Sequence, residues 1–171
     1  MKTLIIQYSP PHTASTFLLN ALYGLIPSLS DKPGIYDDFS LDSDSNIYVI
    51  KTHNNDIDGF MSKYSSIYKL YFICSERVEK NIIIDKKFKL YNNFIVFSYN
   101  ELNETITNTI PIIIENIYNK INNILNIELN IEGGINRIIA MNKLYDEIKN
   151  KDFSYFDLFY IIHGSHRNRK E

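Results

Sequence analysis

Near the amino terminus, Ser9-Pro10-Pro11-His12-Thr13-Ala14-Ser15-Thr16 separates a short apolar run, Thr3 to Tyr8, from the segment FLLNALYGLI. A buried strand, a tight loop of small hydroxyl residues and a helix start together make an anion site. The loop amides point inward, and the helix dipole adds roughly half a positive charge. The loop lacks the GxxxxGK[ST] pattern of an ATP-binding loop. A second candidate is Ile50-Lys51-Thr52-His53, at the end of a strand-like run. Alternation sends Lys51 and His53 to one face. A cation beside an imidazole suits group transfer from an anion: the cation stabilises charge on the moving group, and the neutral imidazole takes a proton from the attacking hydroxyl. Taken alone, Lys-x-His also reads as a surface lysine and a structural histidine.

Three further stretches carry polar chemistry. Cys74-Ser75-Glu76-Arg77 follows another apolar run, and its arginine also reads as a solvated side chain paired with Glu76 or Glu79. Phe97-Ser98-Tyr99-Asn100-Glu101-Leu102 reads as a strand-to-helix passage with structural roles for Tyr99 and Glu101. Close to the carboxyl end the sequence reads His163-Gly164-Ser165-His166-Arg167-Asn168-Arg169. A glycine among polar donors and two arginines is an anion-binding composition, and equally that of a basic tail.

The elements that must position these groups follow from apolar periodicity. After the first strand and helix comes a polar stretch, Ser28 to Ser45, read as a long surface loop. Asn46 to Thr52, Tyr68 to Ser75 and Asn93 to Tyr99 are rich in β-branched and aromatic residues and read as strands. Ile110 to Leu125 places Ile113, Ile114, Ile117, Tyr118, Ile121 and Leu125 on one helical face, with Thr109 as N-cap and Pro111 in the first turn. Gly133-Gly134 is expected to break the chain, and Ile135 to Asn150 to form a second helix. Strands separated by helices favour parallel pairing. The expected fold class is a three-layer α/β sandwich with a central parallel sheet, whose ligands bind beyond the carboxyl ends of the strands.

Composition sets modest bounds. At 171 residues the chain, 1–171, reads as a single domain. A net charge of -2 gives no electrostatic case for a nucleic-acid or membrane partner. The lone cysteine, Cys74, excludes an internal disulfide framework and reads as a buried thiol. The first apolar run is too short for a membrane span and lacks the flanks of a secretory signal, so a cytoplasmic location is expected. Abundant Asn, Ile, Lys and Tyr fit an AT-rich microbial or viral genome.

Read together, these motifs resemble the sulfotransferase family. PHTASTFL matches the family's PKSGTTWL-type loop position by position, with His12 where Lys or Arg is usual. Lys51-Thr52-His53 resembles the Lys-Thr-His at the end of the corresponding strand, and YNEL resembles the family's YEDL region. The resemblance implies a P-loop NTPase-like fold and a sulfonate donor, PAPS, with PAP as product. It implies that the loop, through His12, Thr13, Ala14, Ser15 and Thr16, holds the donor's phosphosulfate. His53 would be the general base, Lys51 the stabiliser of the sulfonate, and His12 the leaving-group cation when protonated. Ser75 stands at the usual position of an arginine that binds the donor's 3′-phosphate, with Arg77 two residues on. Ser165 and Arg167 are further donor contacts by the same resemblance. The implied reaction is sulfonate transfer from PAPS to a hydroxyl-bearing acceptor, with no metal. The alternatives are a non-catalytic nucleotide-binding protein of the same fold, and a small-molecule kinase on a P-loop-like scaffold. The chain is shorter than typical cytosolic sulfotransferases, the missing length corresponding mostly to acceptor-pocket structure.

Overall fold

The computed structural model describes residues 1–29, 34–35, 45–103, 109–151 and 154–163. Its centre is strand β1, Lys2–Tyr8, which leads into helix α1, Ser15–Leu25. A two-residue strand β2, Gly34–Ile35, precedes β3, Ile47–Thr52. Helix α2, Ile57–Tyr64, connects to β4, Tyr68–Glu76. Short 3-10 segments at Val78–Lys80 and Lys86–Leu90 lead to β5, Phe94–Ser98, and the single turn α3, Tyr99–Leu102. Two longer helices follow, α4, Ile110–Asn122, and α5, Ile131–Ile148. A small antiparallel hairpin of β6, Phe156–Asp157, and β7, Ile162–His163, comes last.

The main sheet has strand order β2-β3-β1-β4-β5, with every pairing parallel. Both faces are covered, which is why β1 and β3 read as apolar runs rather than as alternating sequence. Ile5, Val49, Tyr71 and Ile73 pack under α1, α4 and α5. Leu4, Ile6, Tyr48, Ile50, Phe72 and Cys74 pack on the other face against Ile57, Phe60 and Tyr64 of α2 and against Phe88. This is the expected three-layer sandwich. From β1 the chain runs outward to β2; from β4 it runs the other way, to β5. Connections that leave neighbouring strands in opposite directions open a crevice at their carboxyl ends. Among the described residues no helix is long and apolar enough to cross a membrane.

Some boundaries differ from the sequence reading. Gly34–Ile35, inside the presumed loop Ser28 to Ser45, adds an edge strand to β3; most of that stretch lies outside the described residues. Gly133 and Gly134 do not break the chain. They lie in the first turn of α5, which starts at Ile131, capped by Asn130 Oδ1 accepting from Gly133 N at 3.0 Å. Their role is close approach. A Cβ on Gly24 of α1 would stand 2.5 Å from Gly133 O, and one on Gly133 would stand 2.5 Å from Gly24 O. The two helices touch backbone to backbone, and only hydrogen fits between them.

Candidate functional site

Alternation decides what lies under the start of α1. Ile5, Val49 and Ile73 face that helix, so the residues two further on, Gln7, Lys51 and Ser75, face it too. Gln7 and Lys51 are register partners across β1 and β3. At the carboxyl end of the sheet the apolar layer thus gives way to a buried polar one: Gln7, Ser9, Thr13, Thr16, Asn20, Lys51 and Ser75 are each at most 8% exposed. Polar groups so buried must find partners.

They find them in the loop. Gln7 Nε2 donates to Ser9 Oγ at 2.6 Å, and Ser75 Oγ donates to the same oxygen at 2.7 Å. Ser75 Oγ also lies 2.9 Å from Thr13 Oγ1, which donates to the Pro10 carbonyl at 2.7 Å. Gln7 Oε1 has no hydrogen-bond partner among the described residues. On either side of Thr13 the backbone is left-handed, with φ of 66° at His12 and 61° at Ala14. Neither is glycine, and each such conformation costs about 1–2 kcal/mol. Alternating handedness turns successive amides toward a common centre, the geometry of an anion nest. Ala14 is the N-cap of α1 and offers no side-chain acceptor to the first-turn amides. The positive end of this helix is therefore aimed at the loop without a capping side chain.

Lys51 and His53 flank the nest. Lys51, 8% exposed, donates from Nζ to Thr16 Oγ1 at 2.9 Å. The partly buried His53 places Nδ1 against the Ser9 carbonyl in a short contact. A carbonyl only accepts, so that contact calls for a proton on Nδ1; in the neutral ring the lone pair then lies on Nε2. The loop's first residue thus favours one tautomer of the neutral ring. A second chain of contacts runs inward from Thr16. Asn20 Nδ2 donates to the Thr16 carbonyl at 2.9 Å and to the Tyr160 carbonyl at 3.0 Å, and Asn20 Oδ1 accepts from Arg137 Nε at 3.1 Å. Arg137 also donates to the Phe159 carbonyl at 2.6 Å and lies over the rings of Phe159, Tyr160 and Tyr23 at 4.0, 4.7 and 5.2 Å. Burial pulls its pKa down, opposed by Tyr160, Tyr23 and Asp157.

Of the residues singled out in the sequence, Thr13, Ala14, Ser15, Thr16, Lys51 and His53 gather around this one loop, and His12 stands exposed on it. Ser75 lies beneath the loop, fully buried. Arg77 is turned to other partners: its guanidinium lies 3.9 Å over the Tyr99 ring, and Nε donates to Glu79 Oε1 at 2.9 Å. Ser165 and Arg167 lie outside the described residues. The sequence reading passed over Gln7 and Asn20 as contributors. Gln7 and Asn20 carried a usable signal, a polar residue inside an apolar run, which in a buried element implies a specific partner. No group of three or more His, Cys, Asp or Glu side chains able to hold a metal occurs among the described residues. A depression of about 280 Å³ lies at the opposite, amino end of the sheet, lined by Met1, Met61, Tyr68, Leu70, Phe72 and Tyr91 among others, away from the loop.

Comparison of the chain with protein-family models, curated proteins and solved structures finds no match.

Proposed function

We propose that the chain is a sulfotransferase that moves a sulfonate group from PAPS to an acceptor hydroxyl, on a sheet of the P-loop type. The observation that carries this reading is the convergence on one loop of an uncapped helix start, a buried lysine and a histidine whose Nδ1 meets a carbonyl. The resemblance of PHTASTFL and Lys51-Thr52-His53 to the family's loop and strand-end motifs supports it. The donor set suits the phosphosulfate end of such a molecule: backbone amides, an ammonium and hydroxyls can all donate, and among the described residues no carboxylate is bonded to the loop.

In this reading His53 Nε2 accepts the proton of the acceptor hydroxyl as that oxygen bonds to sulfur. Lys51 and the amides of Thr13 to Thr16 stabilise the charge on the sulfonate oxygens. The bond from sulfur to the bridging oxygen breaks, and its electron pair stays on the 5′-phosphate of PAP. The loop amides and His12, as imidazolium, hold that phosphate. The acceptor is a hydroxyl compound.

A thermal-shift titration of the full chain with PAP, Mg·ATP and buffer tests the donor class. PAP at a hundredfold its Kd is expected to stabilise the fold by about 2.7 kcal/mol. Stabilisation by Mg·ATP with no response to PAP would replace this reading with the kinase one. PAP binding without sulfonate transfer to any of a panel of carbohydrate, phenol and alkyl acceptors would leave the non-catalytic binding protein.

A further inference from the structure

We propose that Ser75 is a positioning residue that holds the nest in shape from beneath, so that the carboxyl end of β4 reads no second phosphate of a bound nucleotide. The inference rests on the reading of the loop as a nucleotide-donor site and narrows the donors it distinguishes.

The argument is a count of protons. A hydroxyl has one proton to give and two lone pairs. The Thr13 proton goes to the Pro10 carbonyl at 2.7 Å, and the Ser75 proton goes to Ser9 Oγ at 2.7 Å. The 2.9 Å contact between Thr13 and Ser75 shares one of these protons. An incoming phosphate needs donors, and the only proton of Ser75 is already engaged inside a 0% exposed cluster. The next cation along the chain is engaged as well. Arg77 lies flat over Tyr99 and pairs with Glu79, while its backbone exchanges two hydrogen bonds with Ile82, at 2.7 and 3.0 Å. That pair of bonds fixes the direction in which the β4 end leaves the sheet.

What Ser75 does instead follows from its partner. Thr13 is the residue between the two left-handed positions, and its side chain ties the loop to the sheet through Ser75. Strained torsions persist only where the surroundings over-determine them. Ser75 supplies that constraint from β4, and it is braced in turn by Ser9, the loop's first residue, which Gln7 of β1 holds. The nest is thus held in shape from the sheet, and among the described residues the β4 end adds no free donor to it.

The test uses the full chain, with PAP and 5′-AMP as probes of two and one phosphate sites. Whatever ratio the calorimetric Kd values for the two show in the unaltered protein, Ser75→Ala is expected to leave that ratio unchanged within roughly 3-fold. Ser75→Ala is expected to weaken both by a common factor of about 10, the equivalent of one to two buried hydrogen bonds. Hydrogen exchange at the amides of Thr13 to Phe17 is expected to speed up in Ser75→Ala while that of Tyr71 and Phe72 in β4 stays unchanged. Thr13→Val should reproduce both effects, and Thr13→Ser, which keeps the hydroxyl, should restore them. A strong preference for PAP over 5′-AMP that Ser75→Ala abolishes would overturn the proposal, making Ser75 a phosphate reader. Unchanged loop exchange in both Ser75→Ala and Thr13→Val would overturn the strap. If the unaltered protein binds neither nucleotide, the donor reading fails together with its specificity, and the exchange comparison still decides whether Ser75 holds the loop.

Discussion

Arg137 fastens the carboxyl-terminal hairpin to the helix that carries the site, and its removal should be felt at both ends. Two hydrogen bonds from the guanidinium, to Asn20 Oδ1 at 3.1 Å and to the Phe159 carbonyl at 2.6 Å, are worth about 1 kcal/mol each at this partial exposure. Ring contacts at 4.0 and 4.7 Å add about 0.5 kcal/mol each. Truncation also leaves Asn20 Oδ1, on a residue only 1% exposed, without its donor. Arg137→Ala is therefore expected to destabilise by about 3 kcal/mol, which for a chain of this length lowers Tm by roughly 6–12 °C. Arg137→Lys keeps a charge and a stem but loses the planar fork, and about half the loss is expected. Urea unfolding with a constant m-value is the assay. Asn20→Leu combined with Arg137→Ala should cost less than the sum of the single changes, because the two share a bond. An Arg137→Ala protein within about 0.5 kcal/mol of the parent would refute the assigned network.

His53→Ala should lower sulfonate turnover by roughly 10²- to 10⁴-fold with little change in PAP affinity, read from single-turnover kinetics. His12→Lys should keep or raise sulfonate turnover, because a lysine places a fixed cation where the exposed imidazole of the loop now stands. Gly24→Ala should destabilise by about 1–3 kcal/mol despite alanine's better helix propensity, since its Cβ would meet Gly133 O at 2.5 Å; chemical denaturation measures this. For Glu101, burial pushes the pKa up, but hydrogen bonds from Lys120 and Ser98 outweigh it and the net pKa is lowered. A lowered folded pKa gives stability that is present above the unfolded value, near 4.3, and is lost as pH falls through the folded one. Glu101→Gln should therefore flatten the acid limb of the stability–pH curve below about pH 4.

Much of this architecture is legible because burial on both faces writes long apolar runs into the sequence. β1, β3, β4 and β5 fall within a residue or two of their expected spans. Helix α2 was passed over: it has eight residues, a glycine at its third position and only Ile57, Phe60 and Tyr64 buried. Its usable mark was Asp56, whose Oδ1 caps Gly59 N at 2.9 Å. Gly133 and Gly134 were misread because glycine signals both a break and a close approach, and only the facing Gly24 separates the two. The hairpin at Phe156–Asp157 and Ile162–His163 was illegible: its connection carries no Gly or Asn, and the left-handed position falls on Ile161, φ 54°. Around the loop the types and spacing were readable, but the side of the loop that Ser75 occupies was not. A hydroxyl at a strand end serves equally from above or beneath, and only the packing of Thr13 against β4 decides.

Cys74 gives the chain a stopwatch of its own. It is the sole cysteine, 0% exposed in β4 between β1 and β5, and burial pushes its thiol pKa well up. Only a thiolate reacts with alkylating reagents, so labelling must wait for an excursion that opens the middle of the sheet. The labelling rate of native protein is then a clock on that opening, with no added probe. Run on each variant above, it separates two kinds of inactive protein. One keeps time with the parent and has lost chemistry; the other runs fast and has lost structure.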